Sequence, residues 1–109
     1  MKTHKLSKLA ESDLDDIYSY TLREWGDDQF EIYRNAFNKA LDRLAHDPFL
    51  VNSKQRDDLY RGCRTYRVNK HYIAYMPSET GIYVGRFLHE KMEFSRQILN
   101  EFFEDEETS

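Results

Sequence analysis

Apolar residues in the first half of the chain recur at helical spacing. Leu14, Ile17, Tyr18, Thr21 and Trp25 form one largely apolar stripe. Phe30, Tyr33, Phe37, Ala40, Leu41 and Leu44 form a second, at i, i+3, i+4 and i+7 intervals. Ser7 stands where a hydroxyl can accept a backbone N–H of the first turn, and Glu11, Asp13, Asp15 and Asp16 place negative charge where the helix dipole favours it. Gly26 supplies the residue that ends the first helix, and Asp27 is positioned to cap the second. The second helix stops before Pro48, because the residue preceding a proline is pushed out of the helical region. The pattern therefore predicts an antiparallel helical hairpin, with two apolar stripes that a further layer must cover.

That layer lies downstream. After a loop-like stretch, "FLVNSKQRDDLYRG", in which Gly62 marks a turn or bulge, three segments read as strands. "CRTYRVN" alternates, with Arg64, Tyr66 and Val68 opposite Thr65 and Arg67; "HYIAYM" is rich in β-formers; and "IYVGRFLH" places Ile82, Val84, Arg86 and Leu88 on one face. "PSETG" is a turn cluster, so the three strands form an antiparallel meander. The polar "KTHKLS" before the first helix suits an edge strand, and "MEFSRQILNEFF" a short closing helix through Phe94, Ile98 and Phe102. The expected fold is α+β: an N-terminal edge strand and a helical hairpin packed on a small antiparallel sheet, in the order β-α-α-β-β-β. Residues 1–109 form a single domain, with about residues 100–109 a frayed acidic tail.

Composition narrows the function. Aromatics make up 15% of the 109 residues, with eight Tyr and seven Phe, enough for a thin core. No apolar run approaches the ~20 residues that span a bilayer, and the N-terminus has no signal-peptide pattern. The lone Cys63 reads as a buried small residue and suits a reducing cytoplasm. His4, His46 and His71 show no metal-like spacing with Cys63 or the carboxylates, so neither metal nor cofactor is expected. A net charge of −4 argues against a protein that coats nucleic acid by bulk electrostatics, and no direct sequence-specific nucleic-acid binding by the chain alone is expected. Its middle is nonetheless locally basic, with Lys54, Arg56, Arg61, Arg64, Arg67 and Lys70 against Asp57 and Asp58. That distribution suits either a local anionic partner or a solvated strand face.

Three segments resemble the ParE-type toxins of the RelE/ParE superfamily. The first carries Asp13, Leu14, Ile17, Tyr20, Trp25 and Gly26, followed by Gln29 and Tyr33. The second is "LYRGCRTYRVNKHYIAY", with His71 and Tyr75 in register, and the third is "GIYVGRFLHEKMEFSRQI", where Arg86, Leu88, His89, Met92 and Arg96 match. The resemblance covers about Leu6 to Leu99. It implies a helical hairpin on a small sheet, a toxin that poisons DNA gyrase, and neutralisation by a ParD-like antitoxin. RelE-like relatives instead cut messenger RNA on the ribosome, and fold alone does not choose between the two.

RNA cleavage needs a base, cations for the developing phosphate charge and an acid. Arg64, Arg67, Arg86 and His89 would supply those roles, with Tyr83 standing in for a tyrosine missing after His89. Each also has a structural reading: Arg86 pairing with a helix acid, and His89 as a hydrogen-bonded strand end. Trp25, Tyr18 and Tyr20 are read as core rather than as a base-stacking platform. Gyrase poisoning asks only for a docking surface, for which Arg61, Arg64, Arg86, His89, Met92, Phe94 and Arg96 are candidates. An antitoxin helix would enter a groove built from Leu14, Tyr18, Phe37, Ile98 and Phe102. A non-toxic binding module or a decayed toxin is the third reading.

Overall fold

The computed structural model describes residues 2–92. The order is β1 (Thr3–Leu6), α1 (Lys8–Trp25), α2 (Asp27–His46), β2 (Lys54–Gln55), β3 (Arg64–Val68), β4 (His71–Ser78) and β5 (Gly81–His89). The expected closing helix and the acidic tail lie outside the described residues.

The hairpin forms as the stripes dictate. Ser7 accepts from the Ala10 backbone N–H at 3.0 Å, and Gly26, at φ 87°, breaks the chain between the helices. Asp27 is the first residue of α2 rather than its cap. Gly26 occupies the cap position, and no side chain bonds the first turn. The macrodipole still benefits from Asp27 and Asp28 in that turn.

The sheet has five strands in the order β1-β5-β4-β3-β2 and is mixed, where an antiparallel sheet was expected. β1 lies parallel to β5, because the whole hairpin and the β2–β4 strands intervene before the chain returns beside it. β2 is a two-residue strand inside the stretch expected to be loop, too short to leave an alternating signature.

Both faces of the sheet are covered. Phe37, Ala40, Leu41 and Leu44 of α2 and Ala10 of α1 pack on Val68, Ile73, Tyr75, Ile82, Val84 and Phe87. On the opposite face Leu59 and Cys63, from the loop before β3, close over Ala74 and Leu88. The expected single face of Ile82, Val84, Arg86 and Leu88 therefore does not exist. Register shifts between Ala74 and Tyr75, whose partners are Arg86 and Val84, so Gly85 is an inserted residue. A bulge of one residue exchanges the faces of everything beyond it: Phe87 joins the helices and Leu88 faces away.

The bulge is held by the hairpin. Ser7 donates through its N–H to the Val84 carbonyl at 2.9 Å and through its hydroxyl to Gly85 at 2.7 Å. Beyond the end of β1, the Asp13 carboxylate accepts the Phe87 backbone N–H at 3.0 Å, taking the place of a neighbouring strand. No helix of the described residues is long and apolar enough to cross a membrane.

Candidate partner-docking site

α1 carries Leu14, Ile17, Tyr18 and Thr21 against the sheet, then continues one more turn. Trp25, in phase with that stripe, is its last residue and lies beyond the layer that would bury it. It is 68% exposed, and Tyr20, at the stripe's margin, is 53% exposed. The expectation that both are core residues fails, because a helix that outruns its sheet exposes even its inward-phased end. Tyr18, by contrast, packs edge-on against Phe30 at 5.4 Å and Phe37 at 6.2 Å, where burial raises its pKa.

Beneath Trp25 lies a groove of about 670 Å³ between the turn of the hairpin and the ends of β4 and β5. Ile17, Tyr20, Trp25 and Tyr33 give it an apolar wall, while Lys70, His71, His89 and Lys91 give it a basic one. Asp16 is the acid among the described residues of the lining.

The two histidine rings meet edge-on at 5.0 Å, and His71 also packs against Phe37 at 6.0 Å. His89 Nδ1 accepts the Lys91 backbone N–H at 3.1 Å, which leaves Nε2 as the protonated nitrogen in the neutral ring. His71 Nδ1 is the buried side-chain polar atom among the described residues that has no hydrogen-bond partner. Burial lowers the His71 pKa, and the neighbouring His89 lowers it further.

The residues of the RNA-cleaving reading do not assemble. Arg64 donates to the Ser53 hydroxyl at 2.8 Å and carbonyl at 3.3 Å and lies over the Phe49 ring. Arg67 is bound to Glu90, to the Asn69 carbonyl and to Tyr72. Arg86 is clamped by Asp13, while His89 turns to His71. Tyr83 packs on the far-face cluster with Leu59 and Cys63. The basic side chains thus point to separate places, three of them bound by the protein's own groups.

The docking candidates divide likewise. Arg61 is exposed in the turn before β3, and Met92 is exposed at the end of the described chain. Phe94, Arg96, Ile98 and Phe102 lie outside the described residues. Leu14 and Tyr18 are partly buried against the core. Phe37 has 0% exposure, so it supports the groove from below and offers no surface to a partner. Sequence reasoning did not single out Lys70, His71 and Lys91 as groove residues. Trp25 next to Gly26 was the available signal, since a large ring on a helix's last residue has no following turn to shelter it.

Cys63 is buried, its thiol pushed up to about 12 chiefly by desolvation. No group of three or more His, Cys, Asp or Glu that could hold a metal occurs among the described residues.

Comparison with known proteins agrees with this architecture. The chain is 32% identical over 94 residues to Toxin ParE1 of Mycobacterium tuberculosis, covering 85% of this chain and 94% of the relative. Toxin ParE of Escherichia coli is 32% identical over 102 residues, covering 90% and 94%. Toxin ParE1 of Caulobacter vibrioides is 28% identical over 92 residues, covering 84% and 93%. A solved chain of the chromosomal ParDE TA system from P. aeruginosa shares the fold at a TM-score of 0.65 and 18% identity, over 82% of this chain and 96% of that one. Residues 5–94 match the family described as ParE toxin of type II toxin-antitoxin system, parDE. The hairpin, the sheet and these matches together place the chain in the ParE toxin family of type II toxin–antitoxin systems.

Proposed function

We propose that this toxin acts in the cytoplasm as a single domain, by binding and poisoning DNA gyrase, and that a ParD-like antitoxin neutralises it. Membership of the ParE family supports the toxin class. The observation that carries the binding mode is the engagement of Arg64, Arg67 and Arg86 by Ser53, Glu90 and Asp13. Cations that stabilise a cleaving phosphate must converge on one point, and these are held apart. A toxin that traps a partner needs only a surface, and the groove with exposed Trp25 and Tyr20 beside basic side chains is suited to that.

The antitoxin would meet the same side of the hairpin. An amphipathic acidic segment can lay apolar side chains on Trp25 and Tyr20 and carboxylates against Lys70 and Lys91. Arg61 and Met92 remain accessible for the target. Supercoiling by purified gyrase tests the reading. Loss of supercoiling with accumulation of cleaved DNA supports it, and unchanged supercoiling with codon-associated cuts in ribosome-bound messenger RNA replaces it.

A further inference from the structure

The groove beneath Trp25 contains two groups whose charge changes near neutral pH. Among the described residues of its lining, the exposed Lys70 and Lys91 stand against Asp16, together with the imidazoles of His71 and His89. Neutral rings leave the lining weakly positive, and protonated rings make it strongly so.

The two rings are held differently. His89 accepts the Lys91 backbone N–H through Nδ1 at 3.1 Å and stands edge-on to His71 at 5.0 Å. His71 rests on Phe37 at 6.0 Å, and its buried Nδ1 has no hydrogen-bond partner among the described residues. Charged groups reach the pair from each side. Asp13 and Asp16 come from α1, Lys70 from the turn before β4, and Glu90 and Lys91 from the chain after β5. Tyr20 of α1 and Tyr33 of α2 are the phenols of the lining. Asp13 is engaged by Arg86, and Glu90 by Arg67. Two adjacent imidazolium rings would repel, and the buried His71 nitrogen would become a donor with no acceptor. The free groove therefore favours neutral rings.

An acidic partner changes that balance, because its carboxylates bring counter-charge that no arginine has already claimed. We infer that docking of an acidic segment in this groove is coupled to proton uptake by the His71–His89 pair, so the complex tightens as pH falls. The inference rests on the reading of the groove as the antitoxin's site, and the excess of basic side chains over Asp16 identifies the occupant as acidic. Free His71 is held neutral by burial and by His89, and a docked carboxylate favours its charged form. The complex then holds more protons than its separated parts. Affinity rises as pH falls from about 7.5 to about 5.5, and levels off once the free rings are protonated too.

Calorimetric titration of the purified cognate antitoxin into the full-chain toxin tests this, across that pH range and in buffers of differing ionisation enthalpy. Affinity should rise about ten-fold on acidification, the linkage expected when one imidazole is ten times harder to deprotonate in the complex. The buffer series should show net proton uptake near pH 6.5. In the variant His71→Gln/His89→Gln, with far-UV circular dichroism retained, both effects should vanish. Equal pH responses in parent and folded variant overturn the inference. Absence of proton uptake by the parent overturns it even if the variant fails to fold. The variant Lys70→Ala/Lys91→Ala separates the two readings. Unchanged affinity there shows that the antitoxin does not use the groove, and both readings fall. Weakened affinity beside a flat pH response in the parent overturns the proton coupling alone.

Discussion

Asp13 on α1 accepts both Nε and Nη2 of Arg86 on β5, at 2.7 and 3.0 Å, and the same carboxylate accepts the Phe87 backbone N–H. One short side chain thus neutralises an arginine and closes the edge of β5 where β1 has ended. The side chains are 14% and 16% exposed, so the pair is largely withdrawn from water. Breaking it should cost about 2–4 kcal/mol by Asp13→Ala or Arg86→Ala, because either change leaves a shielded group without its counter-charge. Urea unfolding checks this. The double variant should lose less than the sum of the singles. Additive losses would mean that the contact contributes nothing.

The His71 environment implies a stability limit on the acid side. Burial lowers its pKa from 6.5 and His89 lowers it further, while Glu90 and Asp13 act in the opposite sense. Lys70, Lys91 and Asp16 share the groove. A histidine with a depressed folded pKa binds more protons when unfolded. Its contribution is therefore complete above the ordinary value and is lost as pH falls from there through the folded value. His71→Gln should flatten stability across that window in urea titrations run at successive pH values. An unchanged slope would assign the acid sensitivity to other groups.

Gly81 adopts φ +141° opposite Thr3, and a Cβ there would stand 1.8 Å from the Thr3 carbonyl oxygen. Backbone cannot yield as a side chain can, so Gly81→Ala should displace β1 and cost at least about 2 kcal/mol. Hydrogen exchange provides the local readout. The Thr3 amide, which donates to the Thr80 carbonyl at 2.7 Å, should lose its protection.

The Cys63 thiol, pushed up to about 12 and buried against Leu59, Ala74 and Leu88, should resist iodoacetamide at pH 8 in the native protein. It should react readily once urea unfolds the chain. Rapid native alkylation would show that the Leu59–Cys63 loop opens frequently.

The hairpin was legible because Ser7, Gly26 and the two apolar stripes act locally, and local spacing is what a sequence displays. The fate of β5 was not. Gly85 reads as an ordinary strand residue, and only its pairing with β4 shows that it is inserted. The site had the same limit. The pairing of Arg86 with a helix acid was foreseeable from its strand position, but a separation of 73 residues hides that the acid is Asp13. Trp25 was assigned to the core from its phase, because phase does not record where the sheet beneath it stops. The meeting of His71 and His89 follows from strand register, which the turn cluster before Gly81 sets and the bulge then alters.

The most direct test of the central claim is a gyrase supercoiling assay with the purified toxin, read on gels that separate supercoiled, relaxed and cleaved DNA. The account predicts that supercoiling falls as toxin is added, that linear DNA covalently held by gyrase accumulates, and that Arg67→Ala, which removes a cation of the alternative ribonuclease site, leaves both effects within about two-fold of the parent. Full supercoiling in the presence of folded toxin, with no trapped cleaved DNA at any concentration, would contradict it.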